Sequence, residues 1–244
     1  MLKVENVKKA FGDVIVLDGV NLTVSPGEVV SILGSTGSGK STLIRCINGL
    51  EKLNDGRITV DDFDVSKPRD LAEARKRSGT VFQLFNLYPH MTALQNITLA
   101  PVEVLKRPKA EAEAEGRALL ASVGLGDRAD AYPSQLSGGQ RQRVGICRAL
   151  AMKPRYLLLD EVTSALDPEM TAEVLAILAK LATDGTTMLF VTHEIEFARQ
   201  ISHRIVFLEK GKLLVDLPAE QFFAPDGGLA QPRVAQFLSK MRKD

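Results

Sequence analysis

The chain contains no tryptophan, only two cysteines and three histidines among its 244 residues. Cys46 and Cys147 each lie in an apolar, helix-like segment, so we expect buried free thiols in a reducing cytoplasm. A disulfide or a cysteine metal site is disfavoured by the same pattern. There is no low-complexity tract, and no internal repeat is visible.

An excess of charge of one sign is also missing, because 31 lysines and arginines face 30 acids and the formal net charge is +1. A nucleic-acid partner bound by electrostatics is therefore not expected. No apolar stretch approaches the roughly 18 residues of a membrane span, and residues 1–5 lack the apolar core of a secretion signal. The length fits one large domain or one domain with a subdomain, and the 45% apolar content is that of an ordinary globular protein.

The most specific pattern present is Gly34-Ser35-Thr36-Gly37-Ser38-Gly39-Lys40-Ser41, which matches G-x-x-x-x-G-K-[ST]. It lies between an apolar run at 28–33 and a helix-like run at 41–48. Small residues let backbone N–H groups point at phosphate oxygens, and the helix N-terminus adds partial positive charge. Lys40 is then a cation for the β- and γ-phosphates, and Ser41 a Mg²⁺ ligand. The alternative is a loop that only turns the chain.

Apolar strand-like runs alternate with helix-like runs, which predicts an α/β fold with a mainly parallel sheet wrapped by helices. A helical block interrupts this alternation from about residue 92 to 152. Turns are predicted at Ser25-Pro26-Gly27 and Asp55-Gly56. The strand-like runs are 2–7, 20–24, 28–33, 57–60, 79–82, 156–159, 186–191, 204–209 and 212–216, and the clearest helix outside the block is 168–181.

Two acids, Asp160 and Glu161, end the apolar run 156–159. An aspartate at the carboxyl end of a buried strand beside a phosphate loop suits Mg²⁺ coordination. Glu161 is a candidate general base that polarises an attacking water. The alternative is a pair of helix-capping or loop acids.

A second glycine-rich segment, Leu136-Ser137-Gly138-Gly139-Gln140, precedes the helix-like run 141–150. Ser137 is a natural N-cap, and the two glycines leave the backbone bare for close approach of a ligand. This predicts a second anion site at a helix N-terminus. A glycine-rich cap without a ligand is the alternative.

Three single residues carry weaker signals. His193 follows the strand-like run 186–191 and is either a catalytic residue or a capping or packing histidine. Gln83 follows the run 79–82, where its amide reaches Mg²⁺ or the attacking water, or is a plain loop amide. Phe11 either stacks on a purine or is buried in the core.

In this order, the segments resemble the ATP-binding subunit of ABC transporters over nearly the whole chain. The similar motifs are the Walker A loop at Gly34–Thr42, the Q-loop at Gln83, the signature at Leu136–Gln140, Walker B at Tyr156–Asp160 with the catalytic glutamate Glu161, the D-loop at Ser164–Asp167 and the switch histidine His193. The runs 43–51, 82–92 and 237–240 resemble bacterial importers of polar amino acids. Phe11 replaces the usual tyrosine, and Thr36 and Val162 replace frequent prolines, without loss of a catalytic group.

The resemblance implies a P-loop NTPase core with a mainly parallel sheet, an N-terminal antiparallel β part and an inserted helical subdomain. The single domain, 1–244, divides into a nucleotide-binding core at about 1–85 and 154–220, a helical subdomain at about 90–153 and a helical tail at 221–244. The implied catalytic residues are Glu161, His193 and Lys40, and the implied Mg²⁺ ligands are Ser41, Gln83 and Asp160. The implied ATP contacts are Phe11, Gly34, Ser35, Thr36, Gly37, Ser38, Gly39, Lys40, Ser41, Thr42, Gln83, Ser137, Gly138, Gly139, Gln140, Asp160 and Asp167.

The resemblance also implies partners. Two copies face each other head to tail, with each ATP between Lys40 of one copy and Ser137–Gly139 of the other. Integral-membrane permease subunits bind the pair at the cytoplasmic face of the cell membrane and receive solute from an extracytoplasmic solute-binding protein. Two alternatives stay open: an ATPase that drives another envelope process, such as lipoprotein release or division, and an ATP-binding module that does not hydrolyse. The solute is open among amino acids and opine-like relatives.

Overall fold

The computed structural model describes residues 1–241, so the last three residues of the predicted tail, 242–244, lie outside the described residues. The strands are β1 (Leu2–Phe11), β2 (Val14–Val24), β3 (Val29–Leu33), β4 (Asp55–Val60), β5 (Phe63–Asp64), β6 (Ser78–Val81), β7 (Tyr156–Asp160), β8 (Thr187–Val191), β9 (Arg204–Glu209) and β10 (Lys212–Pro218). The helices are α1 (Lys40–Ile47), α2 (Pro68–Arg77), α3 (Ala93–Glu103), α4 (Lys109–Ser122), α5 (Gly138–Leu150), α6 (Pro168–Thr183), α7 (Ile195–Ile201), α8 (Ala219–Phe222) and α9 (Pro232–Met241).

The larger sheet has the strand order β10-β9-β3-β8-β7-β6. Its five strands from β9 to β6 run parallel, and β10 pairs antiparallel with β9 at the edge. Every residue of β3, β7 and β8 is buried, which explains why these strands read as continuous apolar runs. The prediction of a mainly parallel sheet is confirmed, and the carboxyl ends of β3, β8 and β7 lie side by side.

The smaller sheet has the order β2-β1-β4-β5 and is antiparallel. β1 and β2 are longer than their predicted cores because pairing continues through register shifts to the turn at Gly12. The turn predicted at Asp55-Gly56 is wrong, since both residues begin β4. Gly56 has φ +87°, and a Cβ there would overlap the carbonyl of Asn6, so this glycine marks an irregularity within the sheet.

The helical block predicted over about 92–152 contains α3, α4 and α5. Thr92 caps α3 through a reciprocal capping box with Gln95. The three helices bury a cluster of their own that includes Leu94, Leu120 and Val144. On another face, α5 joins the cluster beneath β7 and β8, so this helix packs the block against the large sheet.

The end of the chain packs on the outer part of the large sheet. Phe237 of α9 meets Phe207 of β9 edge to face, with ring centroids 5.2 Å apart. The same cluster includes Val234 and also Leu33, the last residue of β3. Among residues 1–241, no helix is both long enough and apolar enough to cross a bilayer.

Both cysteines are free and buried, as predicted. Burial raises the pKa of the Cys46 thiol to about 11 and that of the Cys147 thiol to about 12. Because only the thiolate is reactive, both groups act as small apolar core residues.

Candidate nucleotide-binding site

Residues 34–39 form the loop between β3 and α1, and two glycines in it are required by close contacts. Gly34 has φ +152°, and a Cβ there would overlap the carbonyl oxygen of Leu208. Gly39 has φ +107°, and a Cβ would lie 2.7 Å from the carbonyl oxygen of Val16. These backbone positions exclude side chains, so the loop is held against two neighbouring segments by its glycines.

We expect Gly34→Ala to destabilise the fold by about 3 kcal/mol, because the new methyl group adds an overlap to an unfavourable φ. The matched control is Gly37→Ala: Gly37 has φ +79°, but a Cβ there would have nothing within 4 Å, so this variant carries the backbone strain alone. We expect about 1 kcal/mol there. Urea unfolding without added nucleotide measures both, and equal losses would contradict the contact with Leu208.

The loop has the features of a phosphate cradle. α1 begins at Lys40 with no side chain capping its N-terminus, so its first N–H groups are available to an anion. The hydroxyl of Ser38 is buried without a hydrogen-bond partner among the described residues. A buried polar atom of this kind calls for a ligand, and phosphate oxygens fit it.

Lys40 places a buried ammonium group inside the loop. Its Nζ donates to the carbonyl oxygens of Gly34 at 2.9 Å and Ser35 at 3.1 Å. Its side chain is 4% exposed and lies 3.8 Å from Oε1 of Glu161. Burial lowers the pKa of Lys40, and the carboxylates of Glu161 and Asp160 oppose that shift. To reach a phosphate, Lys40 exchanges two carbonyl contacts for charged oxygens.

Ser41 and Asp160 meet where α1 begins and β7 ends. The Ser41 hydroxyl donates to Oδ1 of Asp160 at 2.7 Å. Burial raises the pKa of Asp160, although the hydrogen bond from Ser41 opposes the shift. A hydroxyl and a carboxylate are the oxygen donors that Mg²⁺ prefers, so this pair fits a Mg²⁺ ion.

Glu161 bonds a different partner from Asp160 although the two are neighbours in the chain. It has φ +48°, a left-handed conformation that costs a non-glycine residue about 1–2 kcal/mol. Its Oε1 lies 3.0 Å from Nε2 of His193. This hydrogen bond lowers the pKa of Glu161 against the effect of burial, so the carboxylate is ionised at neutral pH.

The contacts of Asp160, Glu161 and His193 show that none of these three side chains caps a helix. The side chains of Asp160 and Glu161 bond Ser41 and His193, and neither caps a helix. α7 follows His193, but its N-cap is Glu194, without a side-chain cap. His193 is 34% exposed, so it is not a core packing residue.

Ser137 caps α5, as predicted. Its Oγ accepts from the N–H of Gln140 at 3.2 Å, and Oε1 of Gln140 accepts from the Ser137 N–H at 2.9 Å. A Cβ on Gly138 would make ordinary van der Waals contacts, 3.4 Å from Leu166 and 3.7 Å from Phe85, whereas a Cβ on Gly139 would lie 2.6 Å from Sδ of Met170. Gly139 therefore has a packing role between α5 and α6 in addition to the predicted bare backbone.

The remaining predicted residues lie around this centre. Phe11 is 48% exposed with the Lys9 ammonium 4.4 Å from its ring centroid, so the core-burial alternative is wrong. Gln83 is exposed two residues after the end of β6, and Thr42 is half-buried in α1. Asp167 caps α6 by accepting from the Met170 N–H at 3.0 Å. Among the hydrogen bonds and ion pairs of residues 1–241, none joins Ser137–Gln140 or Asp167 to the phosphate loop.

Sequence reasoning missed Glu209, which ends β9. The hydroxyl of Ser35 donates to Oε2 of Glu209 at 2.6 Å, and Nε of Arg233 donates to Oε1 at 2.8 Å. The sequence held one indication of this residue: Glu209 is an acid at the end of an apolar run, as Asp160 is after the run 156–159. The pairing of β9 beside β3 gives this acid its place next to the loop.

Comparisons with known proteins show the family to which the chain belongs. The family model described as ABC transporter matches residues 17–164. The chain is 51% identical to the glutamine transport ATP-binding protein GlnQ of Geobacillus stearothermophilus, over 99% of both chains. It is 48% identical to the glutamate/aspartate import ATP-binding protein GltL of Escherichia coli K12, also over 99% of both.

A solved structure shares the fold and part of the sequence. It is the dimeric, post-hydrolysis state of the ATP-binding cassette MJ0796 bound to ADP and phosphate. The two chains are 37% identical with a TM-score of 0.80, and the match covers 90% of this chain and 99% of the other. With the glycine loop, the paired acids and the capped signature segment in the family's order, the chain belongs to the ABC transporter family, among its ATP-binding subunits.

Proposed function

We propose that this chain is the ATP-hydrolysing, energy-coupling subunit of a bacterial importer for polar amino acids. The observation that carries the proposal is the meeting of Lys40, Ser41–Asp160 and Glu161–His193 at the adjoining carboxyl ends of β3, β7 and β8. The names of the relatives, which transport glutamine or import glutamate and aspartate, favour amino acids as solutes.

In this proposal the phosphate loop binds ATP. The N–H groups of residues 34–42 and the ammonium of Lys40 hold the β- and γ-phosphates. The exposed ring of Phe11 stacks on the adenine, which retains the stacking surface of the usual tyrosine without its hydroxyl.

Ser41 and Asp160 hold Mg²⁺, with Gln83 as a further oxygen ligand. The hydroxyl–carboxylate pair at 2.7 Å supports this assignment because both oxygens already converge. When bound, Mg²⁺ supplies charge neutralisation on the phosphate oxygens.

Glu161 acts as the general base in hydrolysis. Its carboxylate accepts a proton as the water oxygen bonds to the γ-phosphorus, and the bond from that phosphorus to the bridging oxygen breaks to release ADP. The lowered pKa of Glu161, due to the hydrogen bond with His193, keeps the base ionised at neutral pH. His193, within reach of Glu161, contacts the γ-phosphate.

A second copy completes the site. Ser137, Gly138, Gly139 and Gln140 form a capped helix start, and in the head-to-tail pair they contact the ATP held by Lys40 of the other copy, with Asp167 at the junction. The chain has two helix N-termini that are predicted anion sites, those of α1 and α5, and this supports the arrangement. The dimeric state of the cassette MJ0796 also supports it. The core at about 1–85 and 154–220 then supplies one half of each site, and the helical subdomain at about 90–153 the other.

The pair works on separate membrane subunits. We place the chain at the cytoplasmic face of the cell membrane, bound peripherally to permease subunits that receive solute from an extracytoplasmic binding protein. The loop after Gln83 is the candidate contact, because Leu84 is 68% and Tyr88 46% exposed there. An ATPase for lipoprotein release or division is the second candidate, and the names of the relatives disfavour it.

Isolation of the chain from gently solubilised native membranes, followed by mass spectrometry, tests the proposal. Small integral-membrane permease subunits are expected with the wild type and lost with Leu84→Ser. The matched control, Leu214→Ser, changes an exposed leucine of β10 and should keep them. An envelope-remodelling protein or only soluble partners would overturn the transport function while leaving the ATPase.

A further inference from the structure

Three side chains from distant parts of the sequence form a chain of contacts that ends on the phosphate loop. Arg233, in the first turn of α9, donates to Glu209 at 2.8 Å, and Glu209 accepts from the Ser35 hydroxyl at 2.6 Å. Ser35 lies in the phosphate loop. The last helix of the chain is therefore connected to the loop through one carboxylate.

Packing fixes both ends of this connection. The burial of Val234 and Phe237 beside Phe207 holds α9 against β9, which keeps the backbone of Arg233 close to Glu209. The N–H of Gly211, two residues after Glu209, donates to the carbonyl of Ser38 at 3.0 Å. The end of β9 thus contacts the loop through both side chain and backbone.

Glu209 brings a negative charge to a loop that would hold a triphosphate. Its side chain is 10% exposed, so water screens the charge poorly. Burial acts to raise the pKa of Glu209, but hydrogen bonds from Arg233 and Ser35 outweigh it, and the group is ionised at neutral pH. Within residues 1–241, Lys40 and Lys210 are further cations near Glu209, and Arg233 pairs with it directly.

We propose that Arg233 is a positioning residue for nucleotide binding: it cancels the charge of Glu209 beside the phosphate loop and holds the carboxylate that orients Ser35. The inference rests on the proposed ATP site. With this role for Arg233, the nucleotide affinity of the loop depends on the position of α9 against β9. If α9 is displaced, the carboxylate of Glu209 lies next to the phosphates without a compensating cation.

Equilibrium binding of a fluorescent ATP analogue tests the proposal. Arg233→Ala is expected to bind about fivefold to tenfold more weakly than the wild type. Lys240→Ala, which removes an exposed cation from the same helix, is the matched control and should bind like the wild type.

The decisive variant is the double change Arg233→Ala with Glu209→Gln. The glutamine oxygen still accepts from Ser35 but carries no charge, so binding should return to within about twofold of the wild type. A merely structural role for the ion pair predicts no rescue, because Glu209→Gln also removes that pair. Wild-type affinity in Arg233→Ala, or a double variant as weak as the single one, would overturn the inference.

If Arg233→Ala does not fold, the single variant Glu209→Gln provides a second test of the inference. It loses the ion pair and the negative charge together, so it should bind at least as tightly as the wild type. Weaker binding by this folded variant overturns the inference. A wild type that binds no nucleotide overturns the proposed function instead, and thermal unfolding of each variant separates both results from misfolding.

Discussion

Glu161→Gln abolishes ATP turnover while ATP binding is retained. The amide keeps the size of the carboxylate and a hydrogen bond to His193, but it cannot accept a proton from water at neutral pH. Loss of a general base typically costs about 10²- to 10⁴-fold in rate. Phosphate release should fall by that factor, and gel filtration with ATP should show a stable dimer, since ATP joins the two copies and is not consumed.

Glu196→Gln is the matched control for this change. Glu196 lies three residues after His193 on α7, and its side chain is 73% exposed. The control removes the same charge from the same region and should hydrolyse ATP like the wild type. Hydrolysis near the wild-type rate by Glu161→Gln would contradict the assignment of Glu161 as the base. It would indicate that another group activates the water.

Lys40→Met weakens ATP binding itself. The methionine keeps most of the buried stem, so the change isolates the ammonium group that now bonds the carbonyls of Gly34 and Ser35. Truncation of a buried partner of a charged group costs about 2–5 kcal/mol, or about 30-fold to several thousandfold in affinity. Equilibrium binding of ATP measures the loss, with thermal unfolding as the check on folding.

Lys109→Met serves as the matched control for Lys40→Met. Lys109 begins α4, is 79% exposed and lies 3.7 Å from Glu113, so its loss removes a surface ion pair. It should leave ATP affinity unchanged. Unchanged affinity in Lys40→Met as well would contradict the phosphate-cradle interpretation of the glycine loop.

Local sequence predicts those parts of the site in which the backbone conformation requires particular residue types. The loop at 34–41 needs its glycines, and the runs 28–33 and 156–159 are apolar because parallel strands are buried on both faces. Ser137 and Gln140 follow a capping rule within one turn of helix. In each of these segments the conformation depends on residues that are close together in the chain, so one sequence was sufficient to predict it.

The parts that sequence did not predict depend on contacts between distant residues. Asp55-Gly56 has the composition of a turn, yet the approach of Asn6 places it within a strand. Gly139 is set by the neighbouring Met170 on another helix. The contact of Glu209 with Ser35 spans 174 positions and follows from the pairing of β9 with β3, which no local pattern encodes.

The side-by-side ends of β3, β8 and β7 have a mechanical consequence. The loop of Lys40, the His193 segment and the Asp160–Glu161 pair all issue from strands that are hydrogen-bonded to one another, so their separations are as stiff as the sheet. The helical block packs against the cluster beneath that sheet through α5. A force on the helical block would therefore shift the packing of α5 before it stretched the sheet. The block can move in this way while the distances between Lys40, His193 and the Asp160–Glu161 pair are kept.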